Sequence, residues 1–98
     1  MNRVNSKEKI RQKRWTFSLE ANDAKEVFLV GDFNNWSLEK HPMRKDKNGA
    51  WNKQVMLSTG DHEYKFVVDG QWKEDPRNNR RSPNYFGSYN SIVSLPGA

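Results

Sequence analysis

Residues 63–74 read EYKFVVDGQWKE, two β-rich runs joined by Asp69-Gly70. An Asp-Gly pair between such runs favours a type I′ turn, which needs positive φ at both central positions. A two-residue turn also fixes the register. It sets Val68 opposite Gln71, Val67 opposite Trp72, Phe66 opposite Lys73 and Lys65 opposite Glu74. Side chains alternate along a strand, so Tyr64, Phe66 and Val68 share one face, while Lys65, Val67 and Trp72 share the other. The first set has the character of a core. The second is expected to turn an indole and an ammonium group together toward solvent, as a ligand platform would.

Only 34% of the 98 residues are hydrophobic, which by itself points toward disorder. Four Trp, five Phe and three Tyr bury enough surface apiece to favour a folded β-rich domain instead. Cysteine is absent, which removes disulfides and thiolate metal sites and fits a reducing compartment. No apolar run reaches membrane-spanning length and no signal-peptide core is present, so a soluble, cytoplasmic protein without a membrane partner is expected. The net charge of +5 is local: Arg3, Lys7, Lys9, Arg11, Lys13 and Arg14 face a single acid, Glu8, and the rest of the chain is balanced. Residues 1–13 are therefore read as a basic arm, frayed or helical, preceding a module at 14–98.

Within that module residues 14–20 (RWTFSLE) alternate, with Trp15, Phe17 and Leu19 on one face of a half-buried strand. Residues 26–31 (EVFLVG) form an unbroken apolar run, expected as a central strand buried on both faces. Residues 32–39 (DFNNWSLE) break the pattern and put Trp36 in a loop. Lys47-Asn48-Gly49 marks a second hairpin, whose return strand turns Trp51, Val55 and Leu57 inward. After the central hairpin, residues 75–88 read as one long irregular loop, and residues 91–95 close the chain as a last strand. About seven short strands separated by turn signals predict an antiparallel β-sandwich.

Trp15 and Trp51 alternate with apolar neighbours and are assigned to the core. Trp36 and Trp72 either cover an open end of the sandwich or serve a ligand. A Trp face suits the flat C–H face of a pyranose, and Lys65 and Asn90 supply the hydroxyl partners such a ring needs. Catalysis is not expected: His41 and His62 are isolated, no carboxylate pair is marked out, and no cofactor or metal spacing occurs. Nucleic acid is the rival ligand, through Arg77, Arg80, Arg81 and the basic arm. Against it, those arginines directly follow Glu74 and Asp75.

Three spaced blocks, VFLVGDFNNW, EYKFVVDGQW and FGSYNSIVSL, carry a resemblance covering residues 26–95. The chain resembles carbohydrate-binding module family forty-eight, the glycogen-binding modules of AMP-activated protein kinase β-subunits and of branching and debranching enzymes. The resemblance implies an immunoglobulin-like, early-set sandwich that binds α-1,4-linked glucans, or one that docks onto a kinase or glucan-metabolising enzyme. It implies stacking on Trp36 and Trp72 and hydrogen bonding by Lys65 and Asn90. Phe86 and Ser88 stand where the family has a leucine and a threonine at the rim. Phe86 departs from that pattern in size, and residues 76–83 depart from the kinase version altogether.

Overall fold

The computed structural model describes residues 12–97; of the arm assigned to residues 1–13, residues 1–11 lie outside them. Eight strands are present among the described residues: β1 Gln12–Glu20, β2 Val27–Gly31, β3 Arg44–Lys45, β4 Ala50–Ser58, β5 Gly60–Val68, β6 Gln71–Lys73, β7 Arg81–Pro83 and β8 Tyr89–Leu95, with one 3-10 turn at Asp32–Asn34. They form an antiparallel sandwich of a three-stranded sheet, β1-β4-β3, and a five-stranded sheet, β2-β5-β8-β7, with β6 paired to β5. This is the expected immunoglobulin-like arrangement. The first strand begins at Gln12, within what the sequence assigned to the arm.

Phe17 and Leu19 from one sheet meet Leu29, Tyr64, Phe66, Val93 and Leu95 from the other, and Trp51 and Leu57 complete the inter-sheet core. Phe66 and Leu29 are fully buried, each worth roughly 1.5–3 kcal/mol relative to exposure. Trp15 is a correction. It shares the inward face with Phe17 and Leu19 but is 38% exposed, beside a cleft lined by Arg77 and Asn78. Alternation gives a residue's face, not whether the opposite sheet reaches that far.

The central hairpin has the expected register, with Phe66 opposite Lys73, Val67 opposite Trp72 and Val68 opposite Gln71. Asp69 (φ 49°) and Gly70 (φ 84°) both take the positive φ of a type I′ turn. The turn also locks into the fold, because the Asp69 carboxylate accepts the Lys25 and Glu26 backbone N–H groups at 2.9 Å each.

Strand β2 lies at an end of its sheet, not at the centre. It pairs with β5 on one side only. Its outer edge is instead covered by residues 41–43: the Leu29 N–H donates to the His41 carbonyl and the Met43 N–H to the Val27 carbonyl. That cover explains how an edge strand reads as an unbroken apolar run. The 75–88 stretch also departs from expectation, since it contains β7, paired with β8.

His62 ties the sandwich at one end. Its ring bridges Asp32 Oδ1 at 3.0 Å and the Ser58 carbonyl at 2.9 Å. Burial opposes the charged ring, but the Asp32 carboxylate and the Ser58 carbonyl outweigh it and raise the pKa above the ordinary 6.5. A raised folded value means the contribution is complete below about pH 6.5 and lost as pH rises through the folded pKa. In urea unfolding, His62→Gln is expected to lose up to about 1 kcal/mol relative to wild type at pH 6, and less at pH 9. An NMR titration midpoint below 6.5 for His62 would overturn this.

Candidate functional site

Register identifies the outer face of the five-stranded sheet. Val30 lies opposite Lys65, Phe28 and Trp72 both lie opposite Val67, and Ser82 lies opposite Asn90. Val30 and Val67 are buried yet stand outside the inter-sheet core, so this face carries a cover of its own.

Lys65 is part of that buried layer, which corrects the expectation of a solvent-facing ammonium. It is 6% exposed, and its Nζ donates to Ser88 Oγ at 3.2 Å and to the Tyr89 carbonyl at 3.0 Å. An ammonium has three donors; these two bonds use two of them. Asn90 is half-buried in the same network. Its Nδ2 donates to Glu63 Oε1 at 3.0 Å, and its Oδ1 accepts from Asn84 Nδ2 at 3.0 Å.

Sequence reasoning missed Asn84, the hub of this network. Its Nδ2 also donates to Ser88 Oγ at 2.9 Å, and its Oδ1 accepts the Phe86 and Ser88 N–H groups at 2.9 and 3.2 Å. Its own N–H donates to the Ser88 carbonyl. An Asn opening a turn two residues before a bonded N–H is the Asx signature, so the signal was present within the stretch read as irregular. Phe86 itself projects from this loop, 92% exposed.

Trp72 sits on the three-residue strand β6 and is 50% exposed, so its indole flanks the Lys65 network without being consumed by the core. Trp36 approaches from the other side of β5, through the DFNNW block, where each residue has a separate task. Asp32 Oδ2 accepts the Glu63 N–H at 2.9 Å. Phe33 packs on Phe17 with ring centres 5.6 Å apart. Gly31 must lack a side chain, because a Cβ there would come within 2.5 Å of the Phe33 ring and 2.7 Å of the Glu63 carbonyl.

Asn34, 3% exposed, lays its amide along the free edge of β2. Its Oδ1 accepts the Gly31 N–H and its Nδ2 donates to the Leu29 carbonyl, both at 3.1 Å. Asn35 (φ 57°) and Trp36 (φ 58°) then both enter the left-handed region. For a bulky residue such as Trp this is strained, by about 1–3 kcal/mol, and strain of that kind gathers at functional sites. The Trp36 N–H donates to the Gly31 carbonyl at 2.9 Å, which holds the half-buried Trp36 at the end of β2.

Lys65, Ser88 and Asn90 are thus joined by hydrogen bonds through Asn84, Trp72 shares their face, and Trp36 is tied by its N–H to Gly31, the residue that follows Val30. Two concavities, of about 310 and 430 Å³, include none of these residues. Ser58, His62 and Asp32 have the outline of a nucleophile triad, with Ser58 Oγ 3.3 Å from His62 Nε2. The Ser58 carbonyl, which can only accept, lies closer to the same nitrogen at 2.9 Å, so in this arrangement Nε2 carries a proton and is not placed to take one from Ser58 Oγ.

Comparison with known proteins gives the family of the chain. Residues 14–96 match the family model described as the glycogen recognition site of AMP-activated protein kinase. Human 5'-AMP-activated protein kinase subunit beta-1 is 39% identical over 82 residues, covering 84% of this chain and 27% of that protein. Mouse 5'-AMP-activated protein kinase subunit beta-2 is 52% identical over 52 residues, 53% of this chain and 18% of that protein. Protein PTST homolog 2, chloroplastic, from Arabidopsis thaliana is 47% identical over 55 residues, 56% of this chain and 10% of that protein. The chain therefore spans between 10% and 27% of the length of these relatives. The match over residues 14–96 shows that the chain belongs to the family of AMP-activated protein kinase glycogen-recognition modules.

Proposed function

We propose that the chain binds α-1,4-linked glucans without transforming them, across the outer face of the five-stranded sheet. Trp72 and Trp36 are the stacking surfaces, Lys65 and Asn90 bond sugar hydroxyls, and Phe86 and Ser88 form the rim. The observation that carries this is the half-exposed Trp72 on the same face as the hydrogen-bonded network of Lys65, Ser88 and Asn90. An indole with half its surface in water is poor use of a core residue and good use of a sugar platform. Stacking and a few net hydrogen bonds must offset the association cost, so the affinity falls roughly between micromolar and millimolar. Titration with β-cyclodextrin or maltoheptaose, followed by Trp fluorescence, is expected to saturate in that range. No response at millimolar sugar would sink the reading.

The arginines argue against nucleic acid. Arg77 pairs with Glu20 at 2.9 Å, Arg80 with Asp61 at 3.7 Å, and Arg81 with Glu74 at 3.2 Å. Phosphate binding falls steeply with salt through counterion release, whereas glucans are neutral. Raising salt from about 50 to about 200 mM is expected to leave glucan affinity within about twofold of its starting value. A drop of tenfold or more would reinstate the phosphate reading. The kinase-subunit relatives favour a second reading, in which the module docks onto a kinase or a glucan-metabolising enzyme. Under that reading, protein docking persists when the platform tryptophans are removed.

A further inference from the structure

Tyr85 has no part in the fold or in the set of residues above. It is 102% exposed and adjoins Phe86, 92% exposed. Two consecutive aromatic rings in water contribute nothing to folding, and turns of this kind ordinarily carry small polar residues. The segment bearing them is not loose. The Asn84 side chain closes it through the Phe86 and Ser88 N–H groups, and Ser88 is in turn fastened by Lys65. Rings held on a fixed turn can offer contact area at a low entropic cost, since each has only two side-chain torsions to order.

The turn joins β7 and β8, whose Ser82 and Asn90 lie opposite each other on the outer face, so its tip stands at the margin of the platform beyond Asn90 and Ser88. On the glucan reading, a sugar just long enough to span the two tryptophans is expected to stop short of this tip, and a longer chain to reach it. Resting on the glucan reading, we infer that Tyr85 extends the site by receiving the glucose units of an α-1,4-glucan that run past the platform, making it a determinant of chain-length preference.

Calorimetric titration of the full chain with maltotetraose and with maltodecaose tests this on wild type, Tyr85→Ser and Tyr85→Phe. Tyr85→Ser is expected to weaken maltodecaose about three- to tenfold, the range of one stacking contact, and to leave maltotetraose within about twofold. Tyr85→Phe keeps the ring and retains long-chain affinity. Equal losses on both sugars, or none on either, overturn the inference while the glucan reading stands. A wild-type chain that binds neither sugar fails the glucan reading itself, and the role of Tyr85 falls with it.

Discussion

Replacing Trp36 and Trp72 together by alanine is expected to abolish retention in a native gel containing glycogen while leaving the β-sandwich intact. Each indole supplies stacking beyond its area, and losing about 1–2 kcal/mol per ring lowers affinity roughly thirty- to a thousandfold in total. From the weak end of the micromolar to millimolar range that loss is beyond detection, and from the tight end it still weakens binding at least about thirtyfold. The effect on folding is smaller for identifiable reasons. Trp72 is 50% exposed, and its cross-strand pairing with Val67 is worth about 0.2–1 kcal/mol. Trp36 occupies a left-handed conformation that favours no bulky side chain, and it lies outside the inter-sheet core. Circular dichroism melts establish that the variant folds, and co-precipitation with a kinase or glucan-metabolising enzyme reports docking separately. Undiminished glycogen retention by a folded double variant would remove the outer face as the binding surface.

The parts of this molecule legible in its sequence are those set by neighbours in the chain. Asp69-Gly70 dictates both its turn and the pairing of Val67 with Trp72, because a two-residue turn admits one register. The faces of β4 and β5 follow from alternation for the same reason. What sequence could not supply was contact across distance. Lys65 reads as an exposed ammonium by default, yet the acceptors that permit its burial, Ser88 and the Tyr89 carbonyl, lie 23 and 24 residues away. Strand β2 reads as central because its edge is sealed by residues 41–43, and β7, with its Pro83, has too few residues to show a period. Of the residues proposed to contact glucan, the two tryptophans were recognisable as ill-suited to a core. Asn84 carried a local Asx signal inside a stretch that reads as irregular, whereas the role of Asn34 depends on the Gly31 and Leu29 backbone groups, whose lack of a strand partner only the fold reveals.

Asn34→Ala is expected to be among the most destabilising single changes at a polar residue. The Asn34 amide acts as a one-peptide strand partner for β2, capping the Gly31 N–H and the Leu29 carbonyl at the point where residues 41–43 no longer cover that edge. Alanine leaves both groups buried and unpaired, at a cost of about 2–4 kcal/mol in total. Its Nδ2 also meets His41 Nδ1 at 2.7 Å, a contact that requires an unprotonated nitrogen there. Burial, with Lys53 and Lys40 adding repulsion, lowers the His41 pKa and keeps that lone pair available. A lowered folded value places this contribution above about pH 6.5, and it is lost as pH falls through the folded pKa. Asn34 Oδ1 further accepts the Ser37 N–H at 3.3 Å, so the same substitution frees the turn that presents Trp36. Urea unfolding should therefore show a lower midpoint with little change in slope. Glucan affinity should fall in the fraction that remains folded, because Trp36 must then be ordered at the moment of binding. An unchanged midpoint would mean that the β2 edge finds its partners elsewhere, and that the DFNNW block presents Trp36 by some means other than this amide.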